Sequence, residues 1–144
     1  MIPADPVKRM FLERTMVARV ATLSPRGRPA MTPLWFVVHR GRLYLGTGRG
    51  TVIARNAAVN PEVTVLFDVG RPDCMLRVRG RARVHDGAPS AAVLLRMACK
   101  YYVAGWRSEL RNARKWGLRT RYYSQAEGVT IEIDPARAEL VPVP

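Results

Sequence analysis

The sequence predicts a mainly β domain of the α+β type, an antiparallel barrel of six strands, closed or split, with short helices at its edges. Three observations carry this reading. Residues 16–68 string β-branched, alternating segments onto tight glycine-containing turns, Ser24-Pro25-Arg26-Gly27-Arg28-Pro29 and His39-Arg40-Gly41-Arg42. A long alternating segment follows from Cys74 to His85. Near the end of the chain Val129, Ile131 and Ile133 alternate with Thr130, Glu132 and Asp134, which supplies a closing strand.

Taken in order, Pro3 to Thr15 reads as a helix with Asp5 as its cap and Val7, Met10, Phe11 and Arg14 at helical spacing. Strands are expected at Val17–Ser24, Pro29–Val38, Arg42–Thr47, Glu62–Asp68 and Cys74–His85. In the second of these, Met31, Pro33, Trp35 and Val37 share one face and Thr32, Leu34, Phe36 and Val38 the other, so both faces are largely apolar. One face fills a core, and the other needs a cover from a helix, a second subunit or a ligand. The third strand runs into Gly48-Arg49-Gly50-Thr51, after which TVIARNAAVN has helical spacing. Ser90 caps a further helix through Val93, Leu94, Met97, Ala98 and Tyr101 up to Gly105, and a basic helical segment is expected over Arg107–Trp116. Residues 1–144 form a single domain in this reading, with a helical insertion at about 88–123.

Composition narrows the function. Hydrophobic residues make up 48% and charged residues 24% of the 144, which suits a folded globular chain and argues against long disordered tracts. No apolar run approaches the roughly 20 residues of a membrane helix, and Met1–Met10 lacks the apolar centre of a signal peptide, so a cytoplasmic protein is expected. Cys74 and Cys99 read as packed thiols, and with His39 and His85 as the only histidines a His/Cys metal site is not expected. Charge is the outlier. The 24 basic residues exceed the 11 acidic ones by 13, and only Lys8, Lys100 and Lys115 are lysine. This preference for arginine suits either a GC-rich genome or an anionic ligand, since guanidinium presents a fixed fork of donors to phosphate or carboxylate.

Three basic constellations stand out. Gly48 to Arg55 joins glycines, two arginines and the amides of a helix start, which is an anion site or an ordinary strand-to-helix loop. Arg77, Arg79, Arg81 and Arg83 recur at every second residue, which lines guanidiniums along one strand face over roughly 20 Å. That face either holds an extended anion or keeps an outward strand solvated. Trp106 to Tyr123 interleaves aromatics with Arg107, Arg111, Arg114, Lys115, Arg119 and Arg121, as a helical cover or lid, or as a nucleic-acid contact.

The segments VATLSPRGRPAMTPLWFVV, LYLGTGRGTVIARNAAVNPEVTVLF and LRVRGRARV, in this order and spacing, resemble the pyridoxamine 5′-phosphate oxidase-like split β-barrel family, including its actinobacterial flavin- and deazaflavin-dependent oxidoreductases. The resemblance implies an FMN-binding split barrel that forms a homodimer, with a flavin or deazaflavin in a groove between subunits. It implies that Thr32, Pro33 and Trp35 border the ring system and that Thr47, Arg49, Thr51 and Arg55 surround the phosphate; Arg79, from the alternating arginine face, is a further candidate for the acidic tail of the deazaflavin coenzyme. The chain departs from the family at Ile53, where members commonly carry a lysine three residues before the asparagine matching Asn56.

The expected function is an oxidoreductase transferring a hydride between coenzyme F420, slightly favoured for its greater negative charge, or FMN and a small organic acceptor. No Ser-His-Asp or Cys-His arrangement, paired carboxylates or Walker loop is present, in keeping with chemistry carried by the bound ring. Tyr44, Tyr101, Tyr102 and His39 are the candidates for an assisting proton donor. The alternatives are a non-catalytic barrel that binds a cofactor or haem, and a basic nucleic-acid-binding protein.

Overall fold

The computed structural model describes residues 5–103 and 128–143. Helix α1 (Pro6–Arg14) precedes β1 (Ala18–Leu23), β2 (Pro29–Leu34), β3 (Phe36–His39) and β4 (Arg42–Gly48). Helix α2 (Val52–Val59), β5 (Glu62–Phe67), β6 (Cys74–Asp86), α3 (Ala91–Ala98), a π-helical turn over Cys99–Val103 and β7 (Gly128–Pro142) complete the order. The strands form one antiparallel sheet in the order β2-β1-β5-β6-β7-β4-β3.

The sheet has seven strands rather than the six expected, because the segment expected as one strand over Pro29–Val38 is two. Up to Leu34 it pairs with β1, and from Phe36 onward it pairs with β4 at the opposite edge. The side-chain alternation runs unbroken through Trp35, so the change of partner leaves no mark in the sequence. A segment that serves both edges forces the sheet to curl into a split barrel. The Phe36 and Phe67 rings accordingly meet edge-on at 4.9 Å across the interior, although β6, β7 and β4 separate their strands in the sheet. Pro29 and Pro33 lack an N–H and sit on an edge strand, where none is needed for a second neighbour.

Capping proceeds as expected. Asp5 accepts from the Val7 amide at 2.8 Å with Pro6 in the first turn of α1, and Ser90 accepts from the Val93 amide at 3.4 Å at the start of α3. The last strand is longer than Val129–Asp134 suggests, reaching Pro142. Pro135 reads as a strand end, but it lies at a register shift opposite Arg79 and Gly80, which lets β7 continue past it. At the same place Gly80 is sterically required, since a Cβ there would lie 2.6 Å from the Asp134 carbonyl oxygen and 2.8 Å from Ile133 Cγ2.

The inner face of the curled sheet is packed throughout, the outer face only at one edge. Inside lie Phe11, Val20, Phe36, Leu45, Phe67, Leu76 and Ile133, each fully buried or nearly so. Outside, at the β3–β4 edge, Val93, Met97 and Tyr101 cover Val37 together with Trp35 and Tyr44. The cover expected for the second apolar face is therefore helix α3 and the π turn. It stops short of β2, and Met31 and Leu23 on the outward face stay 53% and 44% exposed. Cys99, expected as a packed thiol, is instead exposed at the first position of the π turn, whereas Cys74 packs against the core. No described helix is long and apolar enough to cross a membrane. The basic segment Arg107–Trp116 and the whole 106–123 region lie outside the described residues.

Gly80→Ala is expected to destabilise the fold by about 3 kcal/mol, because the clash is with backbone that cannot rotate away. Thermal and urea denaturation followed by circular dichroism check this, and an unchanged midpoint contradicts the close approach.

Candidate functional site

The strand-to-helix junction after β4 gathers the polar groups expected there. Thr47 is the last residue but one of β4 and pairs with Val129, and Thr51 is the N-cap of α2, accepting from the Ala54 amide at 3.4 Å. The two hydroxyls lie 3.1 Å apart, and Thr51 Oγ1 donates to the Gly48 carbonyl at 2.7 Å. The first-turn amides of α2 add positive potential at the same point. Buried Asn56 donates to Thr22 Oγ1 at 3.2 Å, and Asn60 donates to the carbonyls of Leu23 and Ser24, so α2 is pinned to β1 and the turn after it.

Around this cradle the arginines differ. Arg55 is exposed on α2 and Arg49 is exposed beside it, with Arg49 Nη2 2.9 Å from Asp86 Oδ1. Ile53 is fully buried in the barrel core, so the position where the family resemblance implies a lysine faces inward here and carries packing instead of charge.

The expected ring-bordering residues are divided. Thr32 pairs with buried Val20 on the inner side, while Pro33 pairs with Arg19 on the outer side and is exposed. Trp35 is stacked on Tyr101, ring centroids 4.3 Å apart and planes 2° from parallel, so one of its faces is already covered. Arg79 lies away from the cradle on the outward face. It lines a hollow of about 330 Å³ with Ala21, Leu23, Pro29, Glu62 and Thr64.

The candidate proton donors are held differently again. The Tyr101 hydroxyl accepts from the Phe36 amide at 2.9 Å and faces the carbonyls of Met16 and Phe36 at 2.8 and 2.9 Å, which makes it a brace for β3. Tyr44 donates to Glu132 Oε1 at 3.0 Å, and its pKa is raised by burial and by that bond. His39 is half-buried with an Nδ1 that has no partner among the described residues, and the Tyr102 side chain lies outside them.

A cluster missed at the level of sequence centres on Glu132. This residue alternates along β7 with the core residues Ile131 and Ile133, yet it too is only 8% exposed. Arg42 Nη1 donates to Oε1 at 2.8 Å and His85 Nε2 lies 2.8 Å from Oε2. Burial raises the Glu132 pKa, but the bonds from Arg42, His85 and Tyr44 outweigh it and hold the group at about 2. The signal available in the sequence was cross-strand: only the β4–β7–β6 register brings Tyr44, Glu132 and Arg83 into one row. Among the described residues no group of three or more His, Cys, Asp or Glu side chains could hold a metal ion.

The depressed pKa of Glu132 means that its contribution to stability is complete above its unfolded value of 4.5 and is lost as pH falls towards 2. Glu132→Gln is expected to cost about 3 kcal/mol at pH 7, with the difference from wild type shrinking below pH ~4.5. Urea denaturation at both pH values checks it, and a constant difference contradicts it.

No curated protein matches the chain. Among solved structures, an F420 reductase superposes with a TM-score of 0.64 at 21% identity, covering 91% of this chain and 94% of that one. The haem storage protein HutZ of Vibrio cholerae gives 0.65 at 18% identity, with 96% and 93% covered. General Stress Protein 26 of Bacillus anthracis gives 0.60 at 18% identity, with 94% and 95% covered. At these identities the likeness is one of fold. The sequence profile of the pyridoxamine 5′-phosphate oxidase family matches residues 5–141, nearly the whole described chain, and the protein belongs to that family.

Proposed function

We propose that the protein is an oxidoreductase that holds a deazaflavin or flavin, coenzyme F420 or FMN, and passes a hydride between it and a small organic acceptor. The observation that carries this reading is the Thr47–Thr51 cradle at the N-terminus of α2. Two hydroxyls 3.1 Å apart, with exposed Arg49 and Arg55 beside them, have the chemistry of a phosphate site even though Ile53 supplies no charge. The residues present therefore fit the anionic end of such a group.

When bound, the ring system supplies the hydride chemistry. The chain's own part is to bind and orient. Thr47 and Thr51 would turn their hydroxyl protons from Thr51 Oγ1 and the Gly48 carbonyl to phosphate oxygens, Arg55 would neutralise them, and Arg49 would do so on exchanging Asp86 for the ligand. Pro33 and Trp35 would border the ring. Arg79 and Arg81 on the outward face would attract the acidic tail that distinguishes F420 from FMN, with Arg81 only loosely engaged by Glu62 at 3.8 Å. The exposed Met31 and Leu23 beside Pro29 and Pro33 suit a homodimer in which a second subunit covers β2 and closes the groove.

Titration of the purified protein with FMN and with F420, read by fluorescence, tests the reading together with oligomeric mass. Saturable binding of one of them by a dimer, with reduction of a test acceptor, is expected. Binding of neither overturns it, and binding without turnover favours a carrier. Arg55→Gln is expected to weaken cofactor affinity about tenfold. Neutralising Arg79 and Arg81 together is expected to weaken retention of F420 more than it shifts the melting temperature, measured on the same samples.

A further inference from the structure

A groove of about 860 Å³ opens between α1, β3 and the α3–π segment, and it shares no residue with the cradle or the ring border. Its apolar side is made by Leu12, Val37, Val38 and Leu95. Its polar side carries Arg9, Arg96 and Lys100 against one acid, Glu13.

The three cations make no ion pair with any described residue, in a chain whose other arginines are repeatedly paired. Each of the inner two is fixed by one bond to the free edge of β3. Arg96 Nη1 donates to the Val38 carbonyl at 3.2 Å, and Lys100 Nζ donates to the Phe36 carbonyl at 3.3 Å while lying 3.5 Å from the Phe36 ring centroid. Both keep further N–H groups, since guanidinium has five donors and ammonium three. Burial lowers the Lys100 pKa to about 8, so an anion settling beside it would recover a charge that desolvation disfavours.

We propose that this groove binds a small amphiphilic carboxylate, its apolar body lying along Leu12, Val37, Val38 and Leu95 and its charged end between Arg96 and Lys100. The volume is in the range of small-ligand sites, and apolar lining with a few convergent polar groups is their usual make-up. A polyanion such as nucleic acid would gain nothing from the apolar side.

The test is isothermal titration of the full-length protein with sodium octanoate and with octanamide, which keeps the chain and removes the charge. Octanoate is expected to bind saturably and octanamide at least about tenfold more weakly. Arg96→Gln with Lys100→Gln should lower octanoate affinity by a similar factor. Since both residues also brace β3, Leu95→Glu is the second variant: Leu95 is 65% exposed, so the fold should hold its melting temperature while the added carboxylate repels the ligand. Equal binding of octanoate and octanamide, absence of saturable octanoate binding, or unchanged octanoate affinity in a folded Leu95→Glu protein would each overturn the proposal.

Discussion

Residues 29–39 must serve two edges of one sheet, and most of the architecture answers to that constraint. Phe36 enters the core at the crossing point and meets Phe67 from the far side, which fixes the curl. The backbone there would otherwise present unpaired groups at an edge, a costly condition in a half-buried strand. Tyr101 resolves it by bonding both the N–H and the C=O side of Phe36, while Lys100 and Arg96 cap the Phe36 and Val38 carbonyls. The α3–π segment is thus at once a cover for Trp35 and Val37, an edge guard, and one wall of a groove.

The excess positive charge is distributed in two ways. Along β6, Arg77 pairs with Glu139 and Arg81 reaches Glu62, while Arg79 and Arg83 make no ion pair among the described residues. These are exposed or half-exposed contacts, worth little individually and screened by salt. Glu132 is different because it is buried, and three donors converge on it from β4 and β6. That network ties the three strands of the outward face together where no apolar layer does so.

In the proposed reading, geometry at the Thr47–Thr51 cradle stands in for the lysine charge that the family resemblance implies at position 53. Ile53 gives its position to the core and helps seat α2, and the buried Asn56–Thr22 bond holds the helix in register with β1. The helix start with its two threonine hydroxyls is thereby presented from a rigid base. Positive charge comes from Arg49 and Arg55 on the surface, where Asp86 already competes for Arg49.

Local information sufficed for much of the molecule. The caps Asp5, Thr51 and Ser90, the glycine turns and the alternation of β1, β4, β5 and β6 act within a few residues, and each forms as its neighbours dictate. So does the Thr47–Thr51 cradle, because a strand end and a helix cap four residues apart necessarily adjoin. The change of partner at Trp35, the continuation of β7 past Pro135 and the burial of Glu132 were invisible, since each depends on which distant strand lies alongside. Periodicity states which residues share a face; only the closed chain of pairings decides what that face meets, and burial, pKa and the groove beside β3 all follow from the meeting.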